Sequence, residues 1–141
     1  MKMKSNEIES RLLALLKLGD KTLPFKLSYA IGRNTENLEN EYNRINAERV
    51  KICEGFAAKD EEGKAKTKIN DGKSVFVFEK SEDEQRAVDA YNEILELETV
   101  VNIFTVSIED IERCENLEKY SALTVKEQRD IMFMIDAPKE K

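Results

Sequence analysis

The chain has 141 residues, with 23 basic and 29 acidic side chains, a formal net charge of −6 and no histidine. Its length suits one domain that buries about two thirds of its unfolded surface. The absence of histidine excludes a Cys-His nucleophilic pair, and the acidic balance opposes direct attraction to nucleic-acid phosphates or anionic lipid.

The high proportion of charged residues and the scarcity of proline suit solvated helices better than a β-sandwich. In chain order, "SNEIESRLLALLKLGD" predicts a helix over about 5–18. Ser5 and Asn6 are its candidate caps, Ile8, Leu12, Leu15 and Leu16 lie near one face, and Gly19-Asp20 stops it. The face reads as a core stripe, because it is too short to span a bilayer and too weakly basic to lie on one.

Pro24 is compatible with a helix start, and a long helix is expected over about 25–56. Ile31, Leu38, Ile45 and Ile52 recur at a seven-residue interval, with the mixed companions Thr35, Tyr42, Arg49 and Phe56. That mixture favours an intramolecular antiparallel partner over a parallel dimer. The partner is expected over about 82–98, opened by a Ser81/Glu84 capping box and striped by Ala87, Tyr91, Ile94 and Leu95. The two helices would form a long helical hairpin.

Between them, Asp71-Gly72 predicts a type I′ turn joining strands over about 64–70 and 73–79. Val75 and Val77 would face one way and Phe76 and Phe78 the other, so both faces of the second strand are apolar. A third strand over about 99–107, "TVVNIFTVS", is expected to pair with this hairpin. Ser107 with Asp110 predicts a helix over about 108–115, and Thr124 with Glu127 predicts another over about 125–135. Ile131, Phe133, Met134 and Ile135 are expected to dock on the core, and "DAPKEK" to fray. The resulting class is α+β, mainly α: a long helical hairpin with a small antiparallel β-sheet and short C-terminal helices in a single domain, 1–141.

Motifs that carry chemistry are sparse. Gly32 in "AIGRNT" is isolated and forms no phosphate loop. Asp60, Glu61 and Glu62 lack the alternating oxygen ligands of a calcium loop and read as a solvated turn. Glu109, Asp110, Glu112 and Glu115 could support acid-base chemistry only in a cleft that perturbs them, and read more simply as a wet helix face. Cys53 and Cys114 read as reduced thiols, with Cys53 a small half-buried hydrophobe. Without a secretory signal or membrane-length apolar run, a cytoplasmic protein is expected. No cofactor, metal, direct nucleic-acid contact or small-molecule ligand is expected.

The run "LPFKLSYAIGRNTENLENEYNRINAERVKICEGFAAKDEEGK", together with the terminal "LTVKEQRDIMFMI", resembles small uncharacterised proteins of phages and prophages in Gram-positive bacteria. These join a helix start of the "LP.K..Y.I" type, a long charged helix, an acidic-glycine turn and a terminal "LT..E" helix. The resemblance implies a phage origin and, with it, action in the host bacterial cytoplasm.

The function expected is therefore that of a non-enzymatic interaction module, such as an inhibitor or adaptor that binds a host protein, for instance a defence component. Val75, Phe76, Val77 and Phe78 are its first candidate partner-binding residues, followed by Tyr42, Arg49 and Phe56; the alternative is that these side chains fill the core. A second reading is a virion or assembly component that self-associates through the heptad seam into a homo-oligomer. A third, a small hydrolase using the acidic segment, has less support.

Overall fold

The computed structural model describes residues 1–116 and 119–136, with all side chains in that range except those of Glu115 and Asn116. Of the expected frayed tail, residues 137–141 lie outside the described residues. The elements run β1 (Lys2–Lys4), α1 (Ser5–Lys17), α2 (Phe25–Phe56), β2 (Thr67–Asn70), β3 (Lys73–Phe76), α3 (Ser81–Glu96), β4 (Glu98–Val100), α4 (Ile108–Asn116) and α5 (Val125–Asp130). A short 3-10 helix (Met132–Met134) follows. The chain is α+β and mainly α, with two separate two-stranded antiparallel sheets, β1-β4 and β2-β3. It divides into two compact units, one of residues 1–42 and 98–141 and one of residues 43–97.

In the first unit, α2 starts where proline permits it. Pro24 lacks the N–H that a first turn cannot use, and its carbonyl accepts the Ser28 N–H at 2.9 Å. The buried positions of the helix, Leu27, Ala30, Ile31, Asn34 and Leu38, follow helical spacing and form one stripe. Ile8, Leu12 and Leu15 of α1 are also buried, as are Leu18, Val101, Val106, Leu123, Ile131 and Met134. The core of this unit is thus built from long aliphatic side chains at both ends of the chain.

The expected strand over 99–107 is corrected in extent and in partner. Only Glu98–Val100 forms a strand, and it pairs with Lys2–Lys4 instead of the β-hairpin. Val101 extends the pairing by donating to the Met1 carbonyl at 2.9 Å. Beyond it, side chains of α2 satisfy the backbone. The Asn37 amide donates to the Asn102 carbonyl at 2.9 Å. Asn34, fully buried, donates from Nδ2 to the Phe104 carbonyl at 2.9 Å and accepts the Phe104 N–H on Oδ1 at 2.7 Å. A segment whose polar groups are met this way needs no ladder. Val106 then forms an isolated parallel bridge with Ile135.

Helix ends also differ from expectation. α3 begins at Ser81 with Lys80 as its cap residue and no side-chain cap bond, so the Ser81/Glu84 box is not formed. The Lys80 carbonyl takes the Asp83 and Glu84 N–H groups instead. The helix stops at Glu96 because Leu97 turns extended to feed β4. Similarly, α1 has no side-chain cap bond at Lys4. The Thr124/Glu127 box is present with both reciprocal bonds, and Ser107 and Asp110 exchange bonds at 3.0 to 3.4 Å. The expected helix over 125–135 ends at Asp130 and continues through Ile131 as the 3-10 turn.

In the second unit the core is thin. Its buried apolar residues are Ala57, Ala58 and Ala87, while Ile45, Ile52, Phe56, Tyr91, Ile94 and Leu95 are half-buried. The heptad seam is therefore divided: Ile31 and Leu38 are buried in one unit, and Ile45 and Ile52 are half-covered in the other.

Two predictions follow from the first unit. Asn34→Leu leaves the part-buried Phe104 N–H and carbonyl without their partners, and should cost about 1–3 kcal/mol by urea unfolding; an unchanged midpoint would show that the clamp is dispensable. Glu127 bonds Lys21 Nζ at 2.7 Å. That bond and the Thr124 backbone N–H hold its carboxyl below the ordinary range. A folded pKa below the unfolded value gives stability that is complete above about pH 4.3 and is lost as pH falls through the folded pKa. With both side chains partly exposed, the effect is about 1 kcal/mol or less. Glu127→Gln should flatten that part of the acid limb in a pH series of unfolding curves.

Candidate interaction surface

The β-hairpin is shaped by two residues with left-handed backbone, Asp71 at φ 52° and Gly72 at φ 76°, the requirement of a type I′ turn. Its register pairs Asn70 with Lys73, Ile69 with Ser74, Lys68 with Val75 and Thr67 with Phe76. At the base Val77 N–H donates to the Lys66 carbonyl at 3.0 Å. Ala58 enters the same base: its N–H donates to the Val77 carbonyl and its own carbonyl accepts the Lys66 N–H, both at 2.8 Å. The hairpin is thus clamped at the end opposite its turn.

Alternation along the strands sorts the side chains. Lys66, Lys68 and Lys73 share a face with Val75 and Val77, while Thr67, Ile69 and Ser74 share the other with Phe76. All of β2 is exposed, and Ile69 is 80% exposed. No ion pair joins Lys66, Lys68 or Lys73 to a carboxylate among the described residues. An acidic chain thus carries three uncompensated lysines on one face of its most exposed strand.

Beside the hairpin lies a cleft of about 480 Å³. Five of the seven expected partner-binding residues line it: Arg49, Val75, Phe76, Val77 and Phe78. Val75 and Phe76 end β3, Val77 and Phe78 follow it outside the strand that was expected to reach 79, and all four are half-buried, so neither apolar face is fully covered. Phe56 is half-buried outside this lining, and Tyr42 belongs to the first unit. Residues that the sequence reading did not assign to a partner surface join the wall: Cys53 and Lys68, and Glu84 from the first turn of α3. Arg49 Nε is held by Asn46 Oδ1 at 3.1 Å. Cationic, anionic and apolar side chains therefore line the cleft together.

The other candidate chemistry is accounted for structurally. Asp60 Oδ1 accepts the Glu62 and Lys64 N–H groups, each at 2.9 Å, so this carboxylate shapes a turn around Gly63. Asp110 is buried in its exchange with Ser107, Glu109 and Glu112 are exposed, and the Glu115 side chain lies outside the described ones. Neither cysteine is in a disulfide; Cys114 is buried and Cys53 half-buried. Among the described residues no helix is long and apolar enough to cross a membrane.

The first unit exposes a separate aromatic stripe. Phe25, 79% exposed, lies 5.9 Å from Tyr29, which meets Phe104 edge-on at 6.3 Å; Arg33 covers the same Phe104 ring at 5.3 Å. Its i, i+4, i+8 spacing was available in the sequence, but the partner ring was not.

No family model, curated protein or solved structure matches the chain.

Gly72→Ala has open space for its Cβ, so the cost is conformational, about 1 kcal/mol. Amide exchange at the inward-pointing Lys68 and Val75 N–H groups should quicken about fivefold. Unchanged protection would mean that the turn does not hold the hairpin.

Proposed function

We propose that the chain is a non-enzymatic protein-protein interaction module that binds through the hairpin and cleft of residues 43–97. The observation that carries this reading is the thin core of that unit: its buried apolar residues are three alanines, while Val75 to Phe78 remain half-exposed. A partner's apolar surface laid on these side chains would complete the burial that the unit itself leaves unfinished. The resemblance to phage proteins supports an inhibitor or adaptor acting on a host protein in the bacterial cytoplasm.

A second reading, self-association in a virion or assembly, draws on the half-exposed Ile45 and Ile52. Sedimentation separates the two, since the second requires a discrete homo-oligomer. For the first, capture from bacterial lysate should recover one stoichiometric protein. Phe76→Asp or Phe78→Asp, each confirmed as folded by circular dichroism, should lower that recovery by at least about tenfold. Equal recovery by both folded variants would remove the strand from the binding site.

A further inference from the structure

We infer that the outer edge of β2 is a strand-addition site for an extended partner segment that alternates acidic and apolar residues. The inference rests on the interaction-module reading and names the chemistry of its partner. In an antiparallel pair, inward and outward backbone groups alternate. Because Val77 N–H donates to the Lys66 carbonyl, the Lys66 N–H is taken by Ala58, and Asn70 opposes Lys73 across the turn, the backbone groups of residues 66, 68 and 70 are engaged on the inner side of β2. Thr67 and Ile69 point theirs away. β3 is the only strand paired with β2 among the described residues, so this edge offers two N–H and two carbonyl groups in an extended row.

The side chains on that edge specify what can add. On one face Lys66 and Lys68 are exposed and unpaired with any carboxylate among the described residues. On the other, Ile69 is 80% exposed beside Thr67. A strand laid along the edge must alternate in the same period of two: carboxylates against the lysines, apolar residues beside Ile69. A second copy of β2 would bring lysine against lysine, which directly opposed strands disfavour. A nucleic acid could meet the lysines but not the backbone row or Ile69. The fit is to a peptide segment of alternating acidic and apolar character.

The probe is a synthetic peptide of about seven residues alternating glutamate and valine, with an isomer that blocks the glutamates together. Fluorescence anisotropy should show saturable, salt-sensitive binding of the alternating peptide and at least about tenfold weaker binding of the isomer. Lys66→Glu with Lys68→Glu should lose this peptide and gain an alternating lysine-valine one, an exchange that unfolding cannot mimic. Ile69→Pro removes an outward N–H without touching the hairpin's own bonds, and should lose both peptides while the Lys68 and Val75 amide signals persist. Equal binding of the blocked isomer, or full competition by single-stranded DNA, overturns the inference in favour of a general polyanion surface. A wild-type dimer that Ile69→Pro dissociates overturns it in favour of a second copy. If neither peptide binds but a lysate partner is captured equally by wild type and Ile69→Pro, the edge site falls and the interaction-module reading stands. If no peptide binds and no partner is captured, both fall.

Discussion

The two hydrogen bonds between Asn34 and the Phe104 backbone set the terms for the first unit. Residues 101–106 carry core side chains, Val101 and Val106, yet lie in no sheet. Buried backbone polar groups must be met by something. A carboxamide offers a donor and an acceptor together, the combination a peptide unit presents, so Asn34 stands in for a neighbouring strand. That substitution frees β4 to end at Val100 and lets Val106 join Ile135 instead. It also makes a polar residue on the buried stripe of α2 a source of specificity, because a shift in helix rotation would leave both Phe104 backbone groups without their partner.

The second unit is organised by backbone approach instead of side-chain volume. Ala58 inserts its own N–H and carbonyl between Lys66 and Val77. With alanine at each of its buried apolar positions, little area is removed from water per residue. Larger apolar groups, from Ile45 to Leu95, are left partly wet. A two-stranded hairpin is marginal in isolation, and this one relies on its I′ turn at one end and the Ala58 clamp at the other. In this arrangement an ordered strand edge and apolar side chains are held in place without being consumed by the core, the property on which the proposed interaction role rests.

What the sequence made legible were the features decided by local chemistry. Pro24 marked the start of α2, Asp71-Gly72 marked the turn, and Thr124 with Glu127 marked a cap. Ser81 with Glu84 has the same spacing as that cap and fails, because the carbonyl of Lys80 already takes the first-turn amides and Glu84 is turned to the cleft wall. The strand β1 was invisible, since three residues, Lys2 to Lys4, show no period. The pairing of Glu98–Val100 with it could not be read either, because β-branched composition says that a strand is favourable without naming its neighbour. Asn34 was equally silent: an asparagine in a helix is unremarkable until the chain it faces is known. The Lys66-x-Lys68 alternation was visible but reads as loop composition until register places it on one face of an open edge.

The edge lysines bear on stability and recognition through the same physics. An unprotected strand edge invites pairing with any exposed strand, and charged side chains placed along it suppress pairing between like copies. In a chain of net charge −6, acidic side chains at Thr67 or Ile69's neighbours would serve that purpose as well as basic ones. Lysine does something acidic residues would not: it keeps the edge attractive to carboxylates while repelling the identical strand of another copy. On the proposed reading, the residues that protect the hairpin from its own kind would also determine which segment can be admitted. The half-exposed apolar residues next to it would then supply the area that a short run of backbone hydrogen bonds, each worth only about 1 kcal/mol net, does not provide alone.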